Sequence, residues 1–304
     1  MNRRELFQRS ALFLTAGVPV FASPASSTKM EGVKLPPLPP GSGSLPAAFV
    51  IAKDAEVLDF CGPLEVFVGA ATKEGKPLFA PYMVAAAKDP VTVGGGMKVV
   101  PDYTFKTAPA PKVIVIPAMD MSATGPEMYS WIRAASKSTD VTMSVCNGAF
   151  VLAKTGLLSG KSATAHHGGF FRFAATYPDV HLKRGARFVE EGNLASAGGI
   201  SSGIDLALRV VERYVGRDIA ADVADGMEYQ GKGWLNPDSN DAYAKLPDFN
   251  DEHPICPVCL SDGDRSIKSS HKDKTYYFCA TGEKDFFEAH LDVFERFLAE
   301  DAAR

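Results

Sequence analysis

Two groups of residues have the types and spacing to do chemistry. The first centres on Cys146, in Thr142-Met143-Ser144-Val145-Cys146-Asn147-Gly148-Ala149-Phe150. A strand-length apolar run passes through one polar residue and Gly into a helical pattern, the arrangement of a nucleophile elbow. Backbone N–H groups at the start of such a helix are expected to lower a thiol pKa and to hold a developing oxyanion. The alternative is a buried structural thiol, because free cysteines are among the most buried residues. The second group is Cys256, Cys259 and Cys279. A C-x-x-C followed by a third Cys after a short strand supplies three thiolates, enough for a soft or borderline metal if one more ligand joins.

The elements that must position these groups follow from hydrophobic periodicity. Strand-length runs cover Ala47–Ala52, Tyr82–Ala87, Val113–Pro117 and Val141–Val145, and helical patterns cover Pro63–Lys73, Pro126–Lys137 and Gly148–Leu158. Such alternation builds an α/β fold with a mostly parallel sheet and helices on both faces, whose ligands sit at the carboxyl ends of strands. Two of those ends carry reactive side chains: Asp59, just past the first strand, and Cys146. Asp59 also suits a helix N-cap ahead of Gly62-Pro63.

The whole chain has 304 residues, 46% hydrophobic and 22% charged, with a formal net charge of -4. That composition excludes a disordered or fibrous protein and gives no footprint for a nucleic-acid phosphate backbone. Five cysteines in this length do not make a disulfide scaffold.

Arg3 and Arg4, the apolar run Ala11–Val20 and the small residues Ala22, Ser23 and Ala25 read as an export signal over residues 1–25, too short to be a stable membrane span. The paired arginines are similar to a twin-arginine signal, with an ordinary secretion signal as the alternative; either predicts an exported, periplasmic protein. Residues 26–45, rich in Pro, Gly and Ser, read as a linker.

Three co-linear segments carry a resemblance: Phe49–Ala52 with Glu56–Phe67, Ser144–Ala149 with Thr155–Lys161, and Ala197–Asp205. Together they resemble the PfpI-like (class I glutamine-amidotransferase-like) superfamily over about residues 46–232, and most of all its isonitrile hydratase branch. The resemblance implies a flavodoxin-like sheet, a small-molecule substrate, a homodimer, Cys146 as nucleophile and Asp59 as the carboxylate that bonds the thiol and shuttles its proton. It also implies a place near the nucleophile for His166, and a pocket with oxyanion donors from Asn147, Gly148, Ala118, Gly198 and Gly199. Peptidase relatives carry His directly after the nucleophile; this chain has Asn147, which argues against proteolysis. Ala118 and Met119 replace a usual Gly-Gly, which puts one oxyanion donor in question. Cys61 is either a resolving thiol for oxidised Cys146 or a small buried side chain.

Past a second linker at 233–251, residues 252–304 resemble the YHS domain of metal-handling proteins through Pro257-Val258-Cys259 and Tyr276-Tyr277-Phe278-Cys279. This implies a small α+β metal-binding domain for Zn, Cu or Fe, with Cys256, Cys259 and Cys279 joined by Glu283, His271, His253 or His290; a disulfide among the cysteines is the alternative. The leading expectation is an exported Cys-dependent hydratase coupled to a metal module. Its rivals are a periplasmic metal-binding or thiol-sensing protein on a non-catalytic scaffold, and a glyoxalase- or deglycase-like enzyme acting on 2-oxoaldehydes.

Overall fold

A computed structural model describes residues 43–304. The export signal and all but the end of the first linker lie outside the described residues.

Strand β1 (Leu45–Val50) leads into α1 (Val57–Gly69), then β2 (Phe79–Ala85), the short β3 (Tyr103–Thr104), β4 (Val113–Ile116), α2 (Pro126–Ala135), β5 (Val141–Val145) and α3 (Gly148–Lys154). Then follow α4 (Phe170–Thr176), β6 (Phe188–Glu191), β7 (Leu194–Ala197), α5 (Ser202–Val215) and α6 (Arg217–Gly226). The main sheet runs β6-β7-β5-β4-β1-β2-β3, all parallel except the edge strand β6, which is antiparallel to β7.

Alternate residues of each strand enter two different cores. Ala48, Val50, Ile114 and Ile116 face a layer with α2, α3 and α4, while Ala47, Phe49, Val113 and Val115 face a layer with α1, α5 and α6. Both faces are therefore buried, as a parallel sheet requires.

Two boundaries differ from the expected ones. The first helix begins at Val57, with Pro63 inside it, although Pro normally marks a first turn. Burial of Phe60, Val66 and Phe67 holds the helix across the missing N–H. Glu56 therefore occupies the N-cap and Asp59 lies in the first turn, so the N-cap reading of Asp59 is corrected.

The stretch expected to be a linker at 233–251 is packed instead. Trp234, Asn240, Ala244 and Phe249 are buried, and the Trp234 amide donates to the buried Asp205 carboxylate at 2.8 Å. Long-range polar anchors of this kind leave no periodic trace in a sequence.

The C-terminal segment forms the hairpin β8 (Asp264–His271) and β9 (Lys274–Phe278), followed by α7 (Thr281–Ala289) and α8 (Leu291–Ala302). It does not stand apart. Tyr276, Phe278, Phe287, Phe294 and Phe297 join the same buried cluster as α4 and the sheet. Phe171 of α4 meets the rings of Phe286, Phe287, Phe294 and Phe297 at 6.0 to 6.4 Å. Arg184 fastens the far end, donating to Glu300 and Asp301 at 2.8 and 2.7 Å while its guanidinium lies 4.2 Å from the Phe297 ring.

Phe171→Ala removes the ring common to both regions and is expected to cost about 3–5 kcal/mol. Urea unfolding followed by far-UV and aromatic signals should show one coincident transition at lower denaturant; separate transitions for the two regions would contradict a shared core.

Candidate functional site around Cys146

The β5-α3 junction places Cys146 with φ +58°, a left-handed conformation that a non-glycine residue adopts only under constraint. Its own N–H holds it there, donating to the carbonyls of Ala197, the last residue of β7, at 3.2 Å and of Gly198, just past it, at 2.9 Å. Gly148, the next residue but one, is required by close approach: a Cβ there would lie 2.1 Å from the Ile116 carbonyl oxygen. The sequence pattern of strand, Cys, Asn and Gly thus folds as the expected elbow.

Asp59 reaches the same place from α1. It has no solvent exposure, its Oδ2 accepts the Ala118 N–H at 2.9 Å, and its Oδ1 has no hydrogen-bond partner among the described residues. Burial pushes its carboxyl up to about 7, against the pull of the Ala118 N–H. The Ala118 amide is therefore committed to Asp59, and its expected role as an oxyanion donor is corrected.

Cys146 is 6% exposed. Burial, and then the neighbouring Asp59 charge, push its thiol up to about 12; the N–H groups of Asn147 and Ile200, both directed at the sulfur, pull it down by less. The expected depression of this thiol by the helix start is overturned, because desolvation outweighs two backbone dipoles. Asp59 is the group that ionises first. Near neutrality the pair is a thiol beside a carboxylate whose free oxygen can accept a proton, which suits general-base activation at the moment of attack.

Ile200 was not anticipated, because a backbone amide leaves no side-chain signal. Gly198 is structural: its carbonyl receives the Cys146 N–H and its own N–H goes to the Arg187 carbonyl at 2.9 Å. Gly199 instead makes room for His166, since a Cβ there would stand 2.9 Å from the imidazole Cδ2. His166 accepts the Gly168 N–H on Nδ1 at 3.1 Å, which leaves its proton on Nε2. Burial, and then His167, push His166 below the ordinary histidine range, so it is neutral at pH 7. A cavity of about 180 Å³ opens between His166, Gly199 and Ile200 on one side and Asn240 and Tyr243 on the other. Cys61 lies in α1, half-buried, with its thiol pushed up by burial.

The second cysteine group also converges. The sulfurs of Cys256, Cys259 and Cys279 lie within 4.8 Å of one another, and each is a free thiol in this structure. Cys259 and Cys279 are 3.5 Å apart. A hydrogen bond from the Cys256 thiol pulls Cys259 well below its ordinary range and pushes Cys256 up. A tetrahedral site with metal–sulfur distances of about 2.3 Å needs sulfurs about 3.8 Å apart, so the trio fits one face of such a site.

The expected fourth ligands are elsewhere, which corrects that reading. Glu283 pairs with Arg172, His271 lies 3.1 Å from Glu295, and His290 Nδ1 meets the Phe286 carbonyl at 2.7 Å. His253 is also outside the cluster. Between the two thiol centres stands one short turn, for the Cys259 carbonyl rests against Gly168 and the Asn147 side-chain oxygen against Gly169.

The model of the DJ-1/PfpI family matches residues 46–213, which holds the elbow, Asp59 and His166. This chain belongs to the DJ-1/PfpI family. An isonitrile hydratase of Pseudomonas putida is 32% identical over 191 residues, covering 61% of this chain and 79% of that protein. A transcriptional regulator of Pseudomonas aeruginosa is 25% identical over 179 residues, 58% of this chain and about half (53%) of the regulator. Among solved structures, a ThiJ/PfpI family protein from Pseudomonas syringae superposes with a TM-score of 0.56 at 23% identity, over 74% of this chain and 98% of its own. Drosophila DJ-1beta does so with a TM-score of 0.54 at 19% identity, over 62% and 100%. These structures share the fold. No described helix is long and apolar enough to cross a membrane.

Because the raised Asp59 pKa disfavours the ionised native form, stability attached to this group is full below about pH 4 and is lost as pH rises to 7. Asp59→Asn keeps an acceptor for Ala118 without the charge. It is expected to unfold at higher denaturant than wild type at pH 8, by up to roughly 4 kcal/mol, and to lose that advantage near pH 4. Equal midpoints for the two proteins across pH 4 to 8 would contradict a buried, proton-binding Asp59.

Proposed function

We propose that this protein is a Cys-dependent hydratase of the isonitrile hydratase type. The observation that carries it is the buried Asp59-Cys146 pair at the sheet's carboxyl edge, in the family to which a 32% identical isonitrile hydratase belongs. Cys146 Sγ attacks the terminal isonitrile carbon as its proton passes to the Asp59 carboxylate, and Asp59 returns that proton to the same carbon, giving a thioimidate. Water then adds to the thioimidate carbon, losing a proton to Asp59. Collapse with protonation of nitrogen and sulfur releases an N-substituted formamide and the thiol, so one water is consumed and Asp59 ends as it began. The Asn147 and Ile200 N–H groups face the sulfur and stabilise its developing charge.

Cys146→Ala is expected to lower formamide formation by at least 10³-fold, and Asp59→Asn by about 10²–10⁴-fold. Product assays by mass spectrometry check this, with Cys61→Ala as a control that keeps wild-type rates. Retained turnover in Cys146→Ala would overturn the reading.

The convergent trio favours a second function beside the first: binding of a thiophilic transition metal such as Zn, Cu or Fe by Cys256, Cys259 and Cys279. Such an ion would tie the turn that precedes β8 to the residue that follows β9. Export through the paired arginines would deliver both centres to the periplasm. Purified protein is expected to hold close to one equivalent of metal per chain by elemental analysis, and Cys279→Ser well under half; a metal-free wild type with titratable thiols would refute metal binding.

A further inference from the structure

The cavity beside Cys146 is closed by residues outside the family match, and their anchorage begins inside it. Asp205, at the end of the Ala197–Asp205 motif, has no solvent exposure. It accepts Arg187 Nε at 2.6 Å, Tyr229 Oη at 3.0 Å and the Trp234 N–H at 2.8 Å. Arg187 passes the constraint on, donating to Asn240 Oδ1 and Ser201 Oγ, each at 3.1 Å. A Cβ on Gly198 would stand 2.7 Å from Asn240 Nδ2, and one on Gly185 2.7 Å from the Ala244 Cβ, so residues 240–244 are seated against backbone. Tyr243 is thereby held over His167 with ring centroids 4.9 Å apart, and His167 lies 4.3 Å from His166.

The result is a row of three rings in tilted contact that share the cavity lining with Gly199 and Ile200, and the Ile200 N–H points at the Cys146 sulfur. At about 180 Å³ the cavity is somewhat larger than a 150 Å³ cavity known to take up benzene. It carries no uncompensated charge. Arg187 is neutralised by Asp205, and burial pushes both histidines below their ordinary range. A charged substituent would lose its hydration there and gain no partner.

We infer that this cavity is a subsite for an uncharged, ring-sized substituent of the substrate, and that Tyr243 is a specificity-determining residue that stacks on it. The inference rests on the proposed hydratase reading for what is attached to the ring, and the test separates the two.

Full-length Cys146→Ala, which cannot turn over, is titrated calorimetrically with N-benzylformamide, N-methylformamide and N-formylglycine. The benzyl compound is expected to bind at least tenfold more tightly than the other two. Tyr243→Ala in the same background should erase about tenfold of that preference, while Tyr243→Phe keeps it. Tyr243 is 53% exposed, so its truncation leaves the fold intact, and unchanged melting temperatures check this. In the enzyme with Cys146 intact, Tyr243→Ala should raise KM for benzyl isonitrile about tenfold with kcat within twofold. Ring preference without turnover of any isonitrile would leave the subsite standing and sink the hydratase reading. Equal binding of the three compounds, tighter binding of N-formylglycine, or no effect of Tyr243→Ala would overturn the subsite.

Discussion

Two groups that must both carry protons, Asp59 and Cys146, are kept out of water at the edge of one sheet, and the surrounding structure answers the cost of that placement. Neither can be charged cheaply, so the first ionisation of the pair is delayed to about pH 7 and falls on the carboxylate. The backbone around them is arranged accordingly. The N–H of Ala118 steadies one oxygen of Asp59, those of Asn147 and Ile200 face the sulfur, and that of Cys146 is spent holding its own left-handed backbone. A site built in this way favours a proton transfer concerted with attack over a preformed thiolate.

Much of this was legible in the amino-acid sequence. The runs that became β1, β4 and β5, the Cys-Asn-Gly elbow and the convergence of Asp59 with Cys146 follow from pattern and from motifs in a fixed order. What was not legible has physical causes in common. The helix start at Val57 was hidden by Pro63, whose local preference yields to the burial of Phe60, Val66 and Phe67. The sign of the Cys146 pKa change depends on burial, which local dipole arguments do not contain. Glu283 and His271, near the thiol trio in sequence, are paired with Arg172 and Glu295 from other elements, which local sequence does not show.

The stretch past α6 is the clearest case. Its polar, aperiodic composition reads as a tether, yet Asp205 and Arg187 turn it into a cavity wall. Removing either partner of such a buried pair would strand the other charge away from water, and Arg187 of this pair also bonds Asn240, three residues before Tyr243.

The shared aromatic cluster around Phe171 has a consequence for inheritance. A module joined by a flexible tether can be gained, lost or exchanged between lineages without touching its neighbour. Here α7 and α8 cover apolar surface that belongs to the family domain itself. A descendant that shed residues 252–304 would bare that surface and would have to repaint it with polar residues or cover it with another chain. Loss of the second thiol centre would thus have to be accompanied by changes on the surface of the first centre's own domain.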